Sequence, residues 1–503
     1  MRIAFRTDAS KRIGTGHVMR CLALAEALQA RGAQLTFVCR ELDGHLGDAI
    51  RKAGHGCALL PRAAQLETAG NGTAHADWLE VSAETDAAQT RLELDRLGGV
   101  DWLVVDHYAL DADWQRRQRP AARNILVIDD LADRPHDADA LLDPLPAGAG
   151  RYAGRVPRRC RLLLGPGYAL LREEFARARI GVQPRTALRR LFVSFGGVDA
   201  AGDSGRAIDA LALLGSDAPD ADVVAGGSNP QAGALRARCA ALPRVRFHHA
   251  VGNVAELMAA ADFALGAGGV MTWERASVGL PALVIPVAHN QEPGAAALEA
   301  AGGGITLAPA LATPERIAQR LAELRAAPER LRAMSAQCLA LTEGLGAARV
   351  AQLLCAPAIR LRRATAADSE NVLRWRNDPK IRQNSFDTAE IGRADHERWL
   401  AGVLGNPDRL LLIAEHEGRP VGVLRYDIAG DTAMVSIYLA PGTGGHGYGP
   451  AVLCAGHALL VTERPAVRRV DARIKPDNRG SRRAFEEAGY RLDGTLFCHD
   501  LTP

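Results

Sequence analysis

Short apolar runs alternate with helical patterns through the first 350 residues of the chain. Uninterrupted apolar runs are typical of strands covered on both faces, so each series predicts a parallel sheet flanked by helices. The predicted strands of the first series are Ile3–Phe5, Leu35–Cys39, Trp102–Asp106, Ile125–Asp129 and Ala140–Asp143. Those of the second series are Leu191–Phe195, Asp222–Ala225, Val245–His248, Phe263–Gly266 and Leu283–Val287. The pattern therefore predicts two α/β domains with a cleft between them.

The pattern changes near Ile359, where a different order of elements begins. A strand is predicted at Ile359–Arg362, and Thr365 to Asp368 has the sequence of a capping box that opens a helix through Trp375. A meander of three strands, a glycine loop, a helix, a strand at Arg469–Ile474, a helix and a terminal strand follow. This order predicts a separate α+β domain. The predicted domain boundaries are residues 1–166, 167–353 and 358–503.

Composition narrows the classes of protein that remain. A chain of 503 residues exceeds one ordinary core, and 48% hydrophobic with 24% charged residues is typical of a globular protein. The formal net charge of +3 gives no reason to expect nucleic acid or a membrane surface as a partner. No apolar run has the length of a bilayer span, and no signal-peptide pattern precedes the first strand. The nine cysteines form no CxxC pair, which indicates reduced thiols and a cytoplasmic protein.

A glycine-rich turn separates the first predicted strand from the first predicted helix, Cys21 to Ala30. The segment Gly14-Thr15-Gly16-His17 presents backbone amides and the positive end of a helix dipole, which suits phosphate. His17 stands at the mouth of this turn, where a neutral imidazole is a candidate general base. Asp8 is close enough in sequence to hold one ring nitrogen of His17. In the alternative interpretation His17 only caps the helix or donates to phosphate, and His107 is the rival base.

A second strand-glycine-helix turn runs from Gly266 to Arg275. Gly268 and Gly269 allow a diphosphate to approach the backbone closely, and Glu274 lies one turn into the helix, where it can accept from ribose hydroxyls. The segment His289-Asn290-Gln291 follows the next predicted strand and adds polar groups to this turn.

Acidic residues follow two strands of the first series, in Asp106-His107-Tyr108 and in Asp129-Asp130 with Asp133-Arg134. In one interpretation the two groups bind a divalent metal, but we expect them instead to bind sugar hydroxyls or to cap the turns that follow. Because no histidine and carboxylate spacing demands a divalent ion, no metal is expected.

A third glycine-rich loop, Gly444 to Pro450, opens a predicted helix from Ala451 to Thr462. Its backbone amides are expected to clamp a pyrophosphate by the same physics of a helix terminus. In an earlier helix, Arg374 and Arg376 either hold phosphates or form a solvated helix face.

The order of motifs over roughly residues 1–350 resembles one family of nucleotide-sugar hydrolases. The motifs are RTDAS, IGTGHVMRCLALA, DHYALDADW, IDDLADRPHDADALLD, YALLREEF, SFGG, GAGGVMTWERASVGLP and HNQ. The family is that of the UDP-2,4-diacetamido-2,4,6-trideoxy-β-L-altropyranose hydrolases of pseudaminic acid biosynthesis, whose fold is like that of GT-B glycosyltransferases. The resemblance implies that water activated by His17 attacks the anomeric carbon and releases UDP by cleavage of the sugar C–O bond.

The same resemblance implies where the substrate binds. UDP is expected on Gly268, Gly269 and Glu274, and the sugar or phosphates near Tyr108, Arg172 and Asn290. The full set of predicted substrate-binding residues is Asp8, Gly14, Gly16, Tyr108, Arg172, Gly268, Gly269, Glu274, Asn290 and Gln291. Asp143-Pro144-Leu145 departs from the family, which often has DQN there, so contacts of that loop stay unassigned.

The third domain resembles the GCN5-related N-acetyltransferases (GNAT), whose loop of the form Q/R-x-x-G-x-G/A binds the pyrophosphate of acetyl-CoA. Acetyl-CoA is the implied co-substrate, and the predicted residues that bind it are Gly445, Gly447, Gly449, Asn478 and Ser481. Gly444 replaces the first residue of the loop, so one polar contact is lost or supplied by backbone. Phe485 stands where the family often has a tyrosine that protonates the thiolate. The general acid is therefore unassigned, with Tyr448, Tyr490 and water as substitutes.

Arg374-Trp375-Arg376-Asn377-Asp378, with Ser385, Phe386, His396 and Trp399, resembles the substrate-facing helices of transferases acting on nucleotide-linked amino sugars. The predicted fold is α/β, a GT-B-like pair of Rossmann-like domains followed by an α+β GNAT domain. The resemblances imply a bifunctional enzyme whose third domain acetylates the 4-amino group of a UDP-linked sugar before UDP is removed. Two alternatives stay open: a GT-B glycosyltransferase with an appended acetyltransferase, and a hydrolase regulated by a non-catalytic acetyl-CoA-binding module, which the substitution by Phe485 favours.

Overall fold

A computed structural model describes residues 1–63, 73, 75–146, 148–493 and 496–501 of the chain. The chain forms two compact units, Met1–Leu354 and Cys355–Pro503.

The first unit begins with a parallel sheet of seven strands in the order β3-β2-β1-β4-β5-β6-β7. Its strands are β1 (Arg2–Thr7), β2 (Gln34–Arg40), β3 (Gly56–Leu60), β4 (Val100–Asp106), β5 (Ala122–Ile128), β6 (Ala140–Asp143) and β7 (Arg161–Leu164). The helices between them are α1 (Gly16–Gln29), α2 (Gly47–Lys52), α3 (Ala83–Arg96) and α4 (Ala112–Gln118).

The second parallel sheet of this unit has six strands in the order β10-β9-β8-β11-β12-β13. Its strands are β8 (Arg190–Ser194), β9 (Asp220–Ala225), β10 (Val245–His249), β11 (Phe263–Gly266), β12 (Ala282–Val284) and β13 (Gly304–Thr306). The helices of this part of the chain are α5 (Glu173–Ala178), α6 (Asp203–Leu214), α7 (Ala232–Ala240), α8 (Val254–Ala260), α9 (Val270–Ser277), α10 (Glu292–Ala300), α11 (Pro314–Arg325), α12 (Pro328–Leu341) and α13 (Gly346–Leu354).

Both faces of the second sheet are covered, which explains its uninterrupted apolar strands. Along β8, Leu191 and Val193 belong to one buried apolar cluster and Phe192 belongs to another on the opposite face. Close packing at the strand ends leaves no room for side chains. A Cβ on Gly266, the last residue of β11, would lie 2.2 Å from the carbonyl oxygen of Ser194.

Strand order reverses between β1 and β4 in the first sheet and between β8 and β11 in the second. Connections leave such a pair in opposite directions, so a crevice opens at the carboxyl ends of the two strands, where open α/β sheets bind ligands. The turns after β1 and β11 are the two glycine turns of unit 1 singled out in the sequence.

The second unit is a mixed sheet in the order β14-β15-β16-β17-β18-β20-β19, in which β17 and β18 run parallel and the other neighbours antiparallel. Its strands are β14 (Arg360–Arg363), β15 (Arg409–His416), β16 (Arg419–Ala429), β17 (Thr432–Leu439), β18 (Arg469–Ala472), β19 (Arg491–Asp493) and β20 (Leu496–Asp500). Its helices are α14 (Ser369–Arg376), α15 (Pro379–Asn384), α16 (Arg393–Leu404), α17 (Tyr448–Glu463) and α18 (Arg479–Glu487).

Helices cover both faces of this sheet. Leu410 and Leu412 of β15 share a buried cluster with Leu453 of α17, whereas Leu411 packs on the other face with Trp375 of α14. The capping box predicted at Thr365 is present, with reciprocal bonds between Thr365 and Asp368.

The predicted fold class, two Rossmann-like parallel α/β sheets followed by an α+β domain, is confirmed. The strands that the sequence did not predict are β3, β7, β13 and β19, and each lies at the edge of its sheet. The first helix begins at Gly16, five residues before the predicted Cys21. Among the described residues, no helix combines the length and the apolar character of a membrane span.

Candidate active site

His17 is the second residue of α1 and lies at the carboxyl edge of the first sheet. Its Nδ1 is 2.6 Å from Oδ1 of Asp106, the last residue of β4, which pairs directly with β1. A carboxylate only accepts, so in the neutral imidazole this contact, which is shorter than the 3.2 Å from Nδ1 to Nη2 of Arg20, places the proton on Nδ1 and the lone pair on Nε2. The strand order has therefore joined a histidine and a carboxylate that lie 89 residues apart in the sequence.

Arg20, one turn further along α1, holds the same carboxylate. Its Nε and Nη2 each lie 2.6 Å from one oxygen of Asp106, and its Nη1 is 3.3 Å from Asp130. Burial by itself would raise the pKa of Asp106, but the charge of Arg20 and the hydrogen bonds from Arg20 and His17 outweigh it and hold this pKa well below its usual range. Asp106 is thus an ionised carboxylate that keeps the imidazole of His17 in one tautomer and orientation.

Tyr108 closes one side of the histidine. Its hydroxyl donates to Oδ1 of Asp130 at 2.6 Å, and its ring lies edge-on to that of His17 with centroids 4.7 Å apart. Burial and the negative charge of Asp130 raise the pKa of Tyr108 well above its ordinary value, so the phenol is a neutral donor.

Asp8 does not hold the ring nitrogen of His17, contrary to the sequence-based hypothesis. It is fully buried, forms an ion pair with Arg6 at 2.7 Å and accepts from the backbone N–H of Arg40 at 2.6 Å. Its carboxylate stabilises the interior beneath the sheet edge, because a buried charge must be paired.

The alternative candidate base, His107, is buried, and both of its ring nitrogens lie close to protein groups. Its Nδ1 accepts from the backbone N–H of Ala109 at 3.1 Å, and its Nε2 lies 3.4 Å from Asp8. Burial lowers the pKa of His107 to about 3. A neutral histidine with both nitrogens turned to protein groups is unsuited to take a proton from substrate water.

The second glycine turn has a different construction. Gly269, the residue before α9, has φ +75° and ψ −148°, a conformation that is almost confined to glycine. The side-chain oxygen of Gln291 accepts from the backbone N–H groups of Gly268 and Val287, each at 3.1 Å. Gln291 therefore holds the turn in shape and occupies one of the amides that the sequence assigned to phosphate.

Glu274 and Arg172 are brought together beside this turn. Nη2 of Arg172 lies 3.8 Å from Glu274, and its Nη1 is 2.7 Å from Glu174. Burial raises the pKa of Glu274, against the opposing charges of Arg172 and Arg275. Asn290 lies half-buried in a short 3-10 helix, His289–Gln291, in front of α10.

The loops after β1 and β8 approach each other within unit 1. Oγ1 of Thr15, beside His17, lies 4.0 Å from the position that a Cβ on Gly197 would occupy. Gly14, with φ +82°, and Gly16 have no neighbour within 4 Å on their Cβ side, so this turn has room for a ligand.

The third glycine loop lies in the second unit, ahead of the 16-residue helix α17. Gly445 and Gly447 have φ +85° and +74°, and Gly447 is the residue immediately before the helix. Gly449 also has a packing role: it is buried, and a Cβ there would lie 3.2 Å from that of Ala484 on α18. Its lack of a side chain brings the two helices together.

A cleft of about 990 Å³ lies beside this loop. Asn478 and Ser481 line the cleft, but the side chain of Asn478 already accepts from the N–H of Ser481 at 3.0 Å as the cap of α18. Phe485 also lines the cleft. Tyr490 does not, because it is buried behind Phe485 with its hydroxyl 2.9 Å from His457.

The two arginines of α14 differ in position. Arg376 lines the cleft and donates to the carbonyl of Asp387 at 2.8 Å, whereas Arg374 is partnered by Asn371. Of the other residues singled out near this helix, the cleft is lined by Ser385, Phe386, His396 and Trp399.

Within the described parts of the chain, no group of three or more His, Cys, Asp and Glu side chains is arranged to hold a metal ion. Asp129 forms an ion pair with Arg134 at 3.0 Å and accepts from the N–H of Ala132 at 2.9 Å, so it caps the turn that follows β5.

Comparisons with known proteins agree with the division of the chain into two units. Residues 358–491 match the acetyltransferase (GNAT) domain, and residues 230–352 match the C-terminal domain of glycosyltransferase family 28. The UDP-2,4-diacetamido-2,4,6-trideoxy-β-L-altropyranose hydrolase of Campylobacter jejuni is 29% identical over 201 residues, which are 40% of this chain and 61% of that protein. The chain thus spans about three fifths of this relative's length.

Two solved structures are also similar. MurG of Acinetobacter baumannii is 16% identical, with a TM-score of 0.49, and the match covers 70% of this chain and 98% of that one. Spermidine N-acetyltransferase of Vibrio cholerae, solved with CoA and spermine, is 13% identical, with a TM-score of 0.27, over 29% of this chain and 96% of that one. The resemblances found in the motifs are confirmed: the chain carries a C-terminal GNAT acetyltransferase domain and is a distant homologue of a UDP-sugar hydrolase.

Proposed function

We propose that the first unit hydrolyses a UDP-linked 2,4-diacetamido-2,4,6-trideoxy sugar, with His17 as the general base. The observation that carries the proposal is the 2.6 Å contact between Nδ1 of His17 and Asp106, which leaves Nε2 free to accept a proton. The water oxygen forms a bond to the anomeric carbon as its proton passes to Nε2. The bond between that carbon and the phosphate oxygen breaks, and its electron pair leaves with UDP.

The second glycine turn is the proposed binding site of UDP. The backbone at Gly269 and the N-terminus of α9 suit the diphosphate, and the carboxylate of Glu274 suits the ribose hydroxyls. Arg172 and Asn290 supply polar groups for the phosphates or the sugar. The hydroxyl of Tyr108, near His17, already donates its proton to Asp130, so its oxygen suits a donor of the sugar, a hydroxyl or an acetamido N–H.

The decisive experiment measures UDP release from the UDP-diacetamido sugar in ¹⁸O water with no acceptor added. The expected result is stoichiometric UDP and free sugar, with the label in the sugar and none in UDP. Label in UDP would contradict attack at carbon, and absence of UDP release would contradict hydrolysis altogether.

A glycosyltransferase is the second candidate, because residues 230–352 match the glycosyltransferase family 28 C-terminal domain. That function predicts that UDP appears only when an acceptor alcohol is present. The experiment without acceptor therefore separates the two candidates directly.

For the second unit we propose acetyl transfer from acetyl-CoA to the 4-amino group of a UDP-linked amino sugar, which would supply the hydrolase with its substrate. The match to the GNAT domain and the glycine loop ahead of α17 support acetyl-CoA as the donor. With Phe485 at the usual tyrosine position, catalysis rests largely on holding the amine against the thioester. Tyr448, half-buried beside the rings of His416 and His446, is the remaining candidate acid among the residues predicted for this role.

Thiol release from acetyl-CoA on addition of the UDP-amino sugar tests this activity. A signal with the amino sugar and none with its acetylated product is expected. If acetyl-CoA instead changes the rate of UDP release and no thiol appears, the second unit is a regulatory module.

A further inference from the structure

Aromatic rings enclose the imidazole of His17. Trp78 lies edge-on to it with ring centroids 6.0 Å apart, and Tyr108 lies edge-on at 4.7 Å. The ring of His75 extends this wall, at 4.5 Å from Trp78 and 5.2 Å from Tyr108. As a result only 7% of His17 is exposed.

Trp78 is held at the site rather than in the core. It ends a short 3-10 helix, Ala76–Trp78, and stays half-buried, while the next residue, Leu79, fills the apolar interior. Asp77 forms an ion pair with Arg12, which belongs to the turn that leads to His17. The segment that carries the indole is thus connected to the turn that carries the base.

We propose that Trp78 excludes alcohol acceptors from His17 and so makes water the nucleophile of the first unit. The inference rests on the proposed hydrolase function. A transferase must fit the body of an acceptor molecule around the attacking hydroxyl, whereas a hydrolase needs space for a single oxygen atom. His17 is exposed by only 7% and lies behind two edge-on rings. This leaves space for a water oxygen beside the base but not for the body of an acceptor molecule.

Removal of the indole should therefore admit a small alcohol to the same chemistry. The alcohol oxygen would form the bond to the anomeric carbon, its proton would pass to Nε2 of His17, and UDP would leave with the electron pair of the broken C–O bond. The product is an alkyl glycoside in place of the free sugar.

The experiment compares wild type, Trp78→Ala and Trp78→Phe in the full chain, with methanol or glycerol added to the UDP-diacetamido sugar. Released UDP and the ratio of glycoside to free sugar are measured separately. We expect the ratio to rise at least tenfold in Trp78→Ala and to stay near the wild-type value in Trp78→Phe, which keeps a ring in the wall. Should Trp78→Ala fail to fold, Trp78→Leu replaces it, and the ratio of glycoside to free sugar in that variant must exceed the wild-type ratio.

An unchanged ratio in the folded Ala and Leu variants would overturn the inference, and so would an equal rise in Trp78→Phe. If the inference about Trp78 fails in this way but the wild-type protein releases UDP without an alcohol, the proposed hydrolase function still stands. Wild-type protein that releases UDP only with an alcohol present would overturn both.

Discussion

The glycine turns after β1 and β11 each lie beside the point where strand order reverses in their sheet, and they are stabilised by different kinds of side chain. The turn after β1 delivers His17 to a cluster of ionised groups in which Asp106 and Arg20 are buried. The turn after β11 is stabilised by a neutral side chain, Gln291, that accepts from the backbone N–H of Gly268. In the proposed function, one arrangement of strand, glycine turn and helix thus serves proton transfer in the first sheet and backbone binding of a diphosphate in the second.

The two turns differ because the charge belongs to the protein at the first turn and would be brought by the ligand at the second. A buried carboxylate such as Asp106 stays ionised because protonation would forfeit its ion pair and hydrogen bonds, so it fixes the tautomer of the histidine beside it. A diphosphate already brings its own charge, and amides at a helix terminus bind it without a buried counter-ion. Variants in the two turns should therefore affect different kinetic constants.

The largest effect is expected from His17→Ala. Loss of the general base should lower kcat for UDP release by about 10²–10⁴-fold and leave KM within a fewfold, because the UDP turn is untouched. Steady-state assays of UDP release measure both constants. His249→Ala, which removes an exposed histidine of β10, is the matched control and should behave as wild type. Full activity in His17→Ala would show that His17 is not the base.

A smaller effect, on the other constant, is expected from Gly269→Ala. With φ +75° and ψ −148°, an alanine there is strained by about 1–3 kcal/mol, so the turn should distort and KM for the UDP-sugar should rise about 10-fold or more. Gly233→Ala is the control, because this glycine lies in α7 with no atom within 4 Å of its Cβ position. A fall in kcat with KM unchanged would contradict the division of labour between the turns.

Part of the dependence of stability on pH should come from Asp143, a buried carboxylate at the carboxyl edge of the first sheet. Burial raises the pKa of Asp143, at the end of β6, to about 6, above the unfolded value near 3.9. The folded state therefore binds the proton more tightly, so this group destabilises the protein above pH 6 and the penalty is relieved as pH falls. Between pH 7.5 and pH 5 the relief is about 1.4 kcal/mol, and Asp143→Asn should abolish it.

Chemical unfolding at the two pH values measures this contribution as a difference between wild type and variant. Asp220→Asn, on an exposed carboxylate, should leave the difference unchanged. An Asp143→Asn variant with the full wild-type pH dependence would contradict the prediction.

An effect of comparable size on stability is expected from Gln291→Ala. The variant loses an acceptor for two backbone N–H groups, so the free energy of unfolding should fall by about 1–2 kcal/mol and KM should rise a fewfold. Thermal unfolding and UDP-release kinetics measure the two changes. Gln319→Ala, on the exposed face of α11, serves as the control. Unaltered stability would mean that Gln291 does not hold the turn.

The unpredicted strands show which structural signal was absent from the sequence pattern. β3 and β19 have exposed or half-buried residues along most of their length, and β13 is only three residues long. An edge strand pairs on one side only and needs no run of large apolar residues, so hydrophobic periodicity misses it. Central strands such as β4 and β8 are buried on both faces and were predicted within two residues of their observed ends.

Residue identity and local spacing determined the candidates for chemistry: the glycine turns, His17, Glu274 and the capping box at Thr365. What pairs with them was decided by the tertiary structure. Asp106 reaches His17 because β1 and β4 are neighbours at the point where strand order reverses, and no local spacing encodes that order. For the same reason Asp8, nearer in sequence, faces the interior with Arg6. The close packing of Gly449 against Ala484 of α18 is likewise a tertiary contact that local spacing does not encode. A sequence specifies which groups are available, and the strand order specifies which of them meet.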